Sequence, residues 1–275
     1  MRDEKISIAI VDSGSNGNHI DFDRRVIAFK DFVNNKSYAY DDNGHGTHVA
    51  GIAAGSGRAS RGKYKGIAPN VNLVILKVLD KQGRGKSDNV IKALEWIIEN
   101  KRRYNIRVVN ISFGTLPKDN ETDTRLIANI EKVWDEGIVV VAAAGNSGPE
   151  SGSVTIPGTS KKIITVGCVD DADIDGKNPN YSGRGPTSEC VVKPEILAYG
   201  NRIMSCGVYK NGYVRKSGTS MAAPYVAGAV ALCLNKYPSL LPVEVKMKLR
   251  DTAINIHQPR EKQGWGMISI KDFLS

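Results

Sequence analysis

Short, almost uninterrupted apolar runs alternate with helix-period segments along this chain, and that alternation leaves few folds open. Ile6 to Val11, Val71 to Leu79, Val108 to Ser112, Ile138 to Ala144 and Ile163 to Val166 read as strands with both faces buried. Between them, Ser87 to Asn100 sets Val90, Ala93, Leu94, Ile97 and Ile98 at helical spacing, with Ser87 as N-cap. Thr122 to Asp135 reads as a second helix, stopped by Gly137. This order predicts right-handed crossovers and an α/β fold: a mostly parallel, doubly wound sheet with helices on both faces. Sheets of that kind bind ligands at the carboxyl ends of their strands. Asp12, Ser112 and Asn146 lie at or just after predicted strand ends. Without a Pro/Ser linker, internal repeat or low-complexity tract, residues 1–275 read as one domain.

Composition narrows the function classes. The longest apolar stretch, Met221 to Leu234, is interrupted by Pro224 and Gly228 and suits a buried helix better than a bilayer span. The charged start, Arg2 to Lys5, is followed only by Ile6 to Val11, which is too short for an export signal. Cys168, Cys190, Cys206 and Cys233 form no CxxC pair, so they read as reduced, mostly buried thiols, with a disulfide left open. The formal charge of +9 is spread along the chain and has no interleaved aromatics. That reads as a solvated basic surface, and neither nucleic acid nor a membrane is an expected partner.

Three glycine-flanked segments carry candidate chemistry. In Ile10-Val11-Asp12-Ser13-Gly14, a carboxylate stands at the mouth of a buried strand. Alone, Asp-Ser-Gly is usually a turn. An aspartic protease would need a second such motif after a strand, and none follows. In Asn43-Gly44-His45-Gly46-Thr47-His48, a histidine opens the apolar helix Val49 to Ala54. His45 and His48 lack a third ligand at metal spacing. In Ser217-Gly218-Thr219-Ser220-Met221-Ala222-Ala223-Pro224, a serine opens a long apolar helix reaching Leu234. A nucleophile there gains from the positive helix end, and its own N–H can face an oxyanion. Pro224 is expected in the part of the helix whose N–H groups have no partner.

In the order Asp, His, Ser, these segments resemble the subtilisin family of serine proteases, the subtilases. Val141-Ala142-Ala143-Ala144-Gly145-Asn146-Ser147-Gly148-Pro149 resembles the family's oxyanion segment, and the similarity runs from Ile6 to about Ala231. The resemblance implies a subtilisin-like fold and a serine endopeptidase acting through an acyl-enzyme. Asp12, His45 and Ser220 would be its triad, and Asn146 with the Ser220 N–H its oxyanion donors. A catalytically silent peptide-binding scaffold and an esterase or transpeptidase on the same triad are the alternatives. Gly83-Arg84-Gly85 and Ser112-Phe113-Gly114 resemble the segments that sandwich an extended peptide or protein substrate, with Thr219 assisting through its hydroxyl. Phe113 stands where a smaller aliphatic residue is common. Gly85-Lys86-Ser87 also looks like the tail of a phosphate loop, but Asp80 stands where that motif needs glycine.

The resemblance implies no cofactor for the chemistry, and it raises the question of structural calcium. Asp21 resembles one calcium ligand, whereas the facing loop, Gly55 to Gly66, carries Arg58, Arg61, Lys63 and Lys65, a poor setting for a hard cation; structural calcium at carbonyl-based sites stays open. Tyr199 and Tyr225 stand where the family often has Pro and His. The thiols and the short start point to a cytoplasmic enzyme, with a secreted mature fragment as the alternative. Oligomeric state and cleavage preference carry no sequence signal, apart from Arg84 as a pointer to acidic substrates.

Overall fold

The computed structural model describes residues 5–118, 120–171 and 180–275. The charged start from Arg2 to Glu4 therefore lies outside the described residues. Seven strands form one parallel sheet: β1 (Ser7–Asp12), β2 (Val26–Asp31), β3 (Asn72–Lys77), β4 (Ile106–Ile111), β5 (Val139–Ala143), β6 (Ile164–Cys168) and β7 (Ile196–Ala198). Their spatial order is β2-β3-β1-β4-β5-β6-β7, and every pairing is parallel. Every residue of β1, β5, β6 and β7 is buried, as strands covered on both faces require.

The covering helices come in two pairs. Helices α1 (His45–Ala54) and α4 (Thr219–Lys236) pack together, as do α2 (Ser87–Asn100) and α3 (Glu121–Asp135). Helix α4 lies on β4, β5 and β6; α2 touches β1 and α3 touches β5. The long apolar run is therefore the central buried helix. Gly228 permits its close contact with α1, because a Cβ there would stand 2.9 Å from the Ala53 carbonyl oxygen. Three helices follow or flank this core: α5 (Pro242–Asp251), α6 (Arg260–Gln263) and α7 (Ile270–Phe273). A separate antiparallel hairpin, β8 (Ile203–Cys206) with β9 (Tyr213–Lys216), packs beside α1.

Two local expectations need correction. The N-cap of α2 is Lys86, not Ser87, which is the first helical residue and makes no capping bond. Helix α4 already begins at Thr219, so Pro224 lies in its second turn. There the proline deprives the Ser220 carbonyl of its i+4 donor rather than replacing a spare N–H. The Gly137 stop is present at φ 83°, and Asn120 caps α3 by accepting from the Asp123 N–H. All four cysteines are free; Cys190 alone is exposed. Among the described residues, no helix is long and apolar enough to cross a membrane.

One buried polar knot locks the far edge of the sheet. Glu195 accepts from Lys193 Nζ at 2.7 and 2.9 Å, and from the Thr165 N–H at 2.8 Å. Lys246 of α5 reaches the same carboxylate at 2.9 Å and donates to the carbonyls of Lys161, Lys162 and Ile163. Burial pushes the Lys193 ammonium down to about 8, against the pull of Glu195. Removing the shared anion strands two cations in the interior. Glu195→Ala should therefore lose about 3–5 kcal/mol of unfolding free energy, read from denaturant titration.

Candidate active site

The carboxyl ends of β1, β4 and β5 and the N-termini of α1 and α4 converge on one cavity of about 360 Å³. His45, Ser112, Phe113, Gly114, Gly145, Asn146 and Ser220 are in its wall, with Gly83 across from them. This is where the sheet's strand order reverses, beside β1.

Asp12, the last residue of β1, is fully buried. Its Oδ1 accepts the Ser13 N–H at 2.7 Å, and its two oxygens lie 2.8 and 3.0 Å from His45 Nδ1. A carboxylate can only accept, so Nδ1 carries the proton and Nε2 presents its lone pair. Burial opposes the imidazolium, but the charge and hydrogen bond of Asp12 outweigh it. His45 therefore titrates above its ordinary value of 6.5. No hydrogen bond joins His45 Nε2 to Ser220 Oγ among the described residues; the two share the cavity, as resting sites often do.

His48 takes no part. It faces the β8–β9 hairpin, where Nε2 donates to the Ile203 and Val214 carbonyls, and burial pushes it down to about 4. With Nε2 committed to those two carbonyls, His48 does not join His45 in a metal-ligating cluster among the described residues.

Asn146 follows β5 past Gly145, whose φ is 92°. Its Oδ1 accepts from the Thr219 N–H at 2.9 Å and the Thr219 hydroxyl at 3.1 Å. Two donors on one oxygen fix which way the amide faces, leaving Nδ2 without a protein acceptor among the described residues. The Thr219 hydroxyl also accepts the Gly145 N–H at 3.0 Å. Thr219 is fully buried, so its hydroxyl acts on Asn146 and not on a bound molecule. Ser220, the second residue of α4, has an N–H with no intrahelical acceptor.

The two expected peptide-binding segments face each other. Gly83, Arg84 and Gly85 stand opposite Phe113 and Gly114 across an adjoining cavity of about 280 Å³, which Val90, Leu126 and Ile156 make apolar. Phe113 lines both cavities, as do Leu79, Gly83 and Gly114. Arg84 Nε lies 3.6 Å from Asp80, so its charge is already matched within its own turn.

The family model described as the subtilase family matches residues 3–266. The chain belongs to this family. It is similar to serine protease AprX of Bacillus subtilis (strain 168), 42% identical over 273 residues, covering 90% of this chain and 60% of that protein. It is also similar to Subtilisin DY of Bacillus licheniformis, 37% identical over 253 residues, covering 91% and 84%. Among solved structures, a psychrophilic protease, S41, superposes with a TM-score of 0.82 at 29% identity over 97% of this chain and 92% of that one. A cold-adapted subtilisin-like serine proteinase gives a TM-score of 0.77 at 31% identity, covering 96% and 86%.

Among subtilase features, the calcium position fits poorly here. Asp21 Oδ1 accepts the Ala59 N–H at 2.9 Å, and Oδ2 accepts the Tyr213 hydroxyl at 2.7 Å and Cys206 Sγ at 3.5 Å. Its carbonyl accepts from Ser56 N–H and Arg25. His19 stands in the same cluster, but Nδ1 accepts the Asp21 N–H and Nε2 meets the Gly212 carbonyl. These oxygens and nitrogens are saturated by protein donors and acceptors, so the residues present do not fit a hard cation.

Several supporting residues escaped the sequence reading. Asp41 accepts from Ser13 Oγ, the N–H groups of Asn43, Gly44 and Thr47, and the Thr47 hydroxyl. Ser13 Oγ in turn accepts the Gly46 N–H at 2.9 Å. Together they tie the Asp12 strand end to the first turn of α1. The available signal was Asp41 four residues before His45, an acceptor placed to hold helix-start amides. Because Asp12 raises the His45 midpoint, an NMR titration should find it above 6.5 in the native chain. Asp12→Asn leaves burial unopposed by that charge and should move the midpoint down.

Proposed function

We propose that this chain is a serine endopeptidase with Asp12, His45 and Ser220 as its triad. The observation that carries the reading is the doubly contacted Asp12–His45 pair opening into the cavity that Ser220 and Asn146 also line. Membership of the subtilase family and relatives named as serine proteases support it. No observation favours the silent scaffold. The chain spans 60% of the length of AprX.

The chemistry follows from the geometry. Ser220 Oγ attacks the carbonyl carbon of the scissile peptide while His45 Nε2 takes its proton. Asp12 holds the imidazole by Nδ1 and stabilises the imidazolium as it forms. The negative charge on the former carbonyl oxygen meets Asn146 Nδ2 and the Ser220 N–H. Those donors need no reorientation, since Thr219 already anchors the other end of the amide. Collapse breaks the C–N bond, and the amine leaves with the proton from His45. Water, deprotonated by the same nitrogen, then cleaves the acyl-enzyme.

The substrate is an extended peptide, added as a strand between Gly83–Gly85 and Ser112–Gly114. Apart from His45, no titratable side chain lines the Ser220 cavity among the described residues. It suits a neutral side chain, and the neighbouring cavity, walled by Val90, Leu126 and Ile156, suits a second, apolar one. No cofactor enters the chemistry, and Asp21 is not a calcium ligand.

A fluorophosphonate should add once to the native chain and not to Ser220→Ala, as intact-mass spectrometry reads directly. An unlabelled, folded native chain would sink the reading. Asn146→Ala should lower kcat by roughly 10²–10³-fold with little change in KM. Asp21→Asn should leave the response of Tm to EDTA and to added calcium as it is in the native chain. An ion held through Asp21 at 100 times its Kd would instead stabilise only the native chain, by about 2.7 kcal/mol.

A further inference from the structure

A lysine ends the largely apolar strand β3, directly beside the buried aspartate. In the parallel pairing of β1 with β3, Asp12 is opposite Lys77. Lys77 is fully buried, and its ammonium makes three hydrogen bonds. It donates to the Ser13 carbonyl at 2.6 Å, to Asp42 Oδ1 at 2.6 Å and to the Leu79 carbonyl at 2.9 Å. An ammonium has three donors, and here each finds an acceptor. The Tyr40 ring covers it at 4.9 Å from Nζ to the ring centre.

The three acceptors belong to three different parts of the site. Ser13 follows Asp12 and donates its N–H to that carboxylate. Asp42 lies three residues before His45, in the turn that Asp41 organises. Leu79 lines both cavities and bridges to Gly85 on the peptide-binding edge. An apolar residue of the same length would fill the space but leave two carbonyls without these donors. Burying a cation is costly unless it is fully paired, and simple packing does not explain its presence here.

We propose that Lys77 is a positioning residue for the triad: one buried ammonium sets the distance between the Asp12 strand end and the His45 turn. It touches no substrate and acts through Ser13 and Asp42. The inference rests on the endopeptidase reading and adds to it a residue outside the triad and the oxyanion pair. Its predicted signature is kinetic. Displacing His45 from Asp12 or Ser220 by about 1 Å can cost on the order of 10²-fold in the chemical step. The Ser112–Gly114 side of the cavities, which Lys77 does not bond, remains in place, so binding changes less than the chemical step.

The test compares native chain, Lys77→Met and Asp42→Ala at a temperature well below each Tm. Three readouts are taken: fluorophosphonate labelling rate per active site, kcat and KM on a chromogenic peptide, and the low-field NMR signal of the His45 Nδ1 proton. Lys77→Met should label roughly 10- to 100-fold more slowly, lose kcat in proportion and keep KM within about threefold. Its low-field proton should shift or broaden. Asp42→Ala, which removes only the more exposed leg, should fall between it and the native chain. A merely structural lysine would lower the number of active sites and not the rate at each one. A folded Lys77→Met with the native labelling rate overturns the proposal, as does a loss confined to KM. If Lys77→Met does not fold, Asp42→Ala decides: native rate and an unmoved proton signal overturn it. Failure of the native chain to label sinks the endopeptidase reading instead. The proton signal still judges the clamp in that case, because it reads the Asp12–His45 contact without turnover.

Discussion

Everything at this site depends on one junction, where the carboxyl end of β1 meets the amino end of α1. The two backbones approach so closely that side chains have no room. A Cβ on Gly46 would stand 2.2 Å from the Gly14 carbonyl, and a Cβ on Gly14 2.0 Å from the Tyr40 carbonyl. Gly14 also has φ 114°, a region costly for any other residue. Glycine at both positions lets a buried carboxylate and a helix-borne imidazole come within 2.8 Å. The hydrogen bonds of Ser13 and Asp41 then hold that approach in one register. Burial and several hydrogen bonds act oppositely on Asp41, and the bonds win: its carboxyl titrates below the ordinary range and stays charged.

The core makes this rigidity affordable in a literal geometric sense. Strands whose residues are buried on both faces cannot slide without exposing apolar surface, so their carboxyl ends are fixed points. Asp12 and Asn110, both fully buried, ride on two of these strands, and Asn110 Nδ2 donates to Ser112 Oγ at 2.8 Å. The central helix α4 is held against the same strands, which places Ser220 without any ligand present. A site assembled from strand ends and two helix starts thus inherits its precision from packing rather than from loop conformation.

Much of this was legible from residue pattern alone. Apolar runs located β1, β3, β4, β5 and β6 to within about two residues, and α2 to the residue. Edge strand β2 escaped because its burial is mixed, so its sequence lacks the continuous apolar run of the interior strands. The β8–β9 hairpin escaped for a related reason: β9 is largely exposed and polar. Capping was misplaced by one residue at α2, since a serine in the first turn looks the same in sequence whether or not it caps. At the site, the residues brought together were those marked by glycine-rich motifs. The supporting groups were not: Lys77 and Ser13 act mainly through long-range hydrogen bonds that leave no local pattern, and Asp41 offered only its place just ahead of a helix start. Lys77 offered a visible clue as well, a charge within the run from Val71 to Leu79.

The distribution of satisfied and unsatisfied groups then separates support from chemistry. Around the cavity, the Asp12 carboxylate, the Asp41 carboxylate, the Lys77 ammonium and the Asn146 carbonyl oxygen are all engaged by the protein. Among the described residues, His45 Nε2, Ser220 Oγ and Asn146 Nδ2 are not, and all three belong to residues that face one space. Leaving polar groups unpaired costs little at a cavity open to water and much in the interior. A fold selected for stability alone would have no reason to gather a base, a hydroxyl and an amide donor there while engaging the Asp12, Asp41, Lys77 and Asn146 groups behind them. The arrangement is what catalysis by charge stabilisation requires: donors and a base aimed beforehand, with the cost of aiming them already met by the bonds behind.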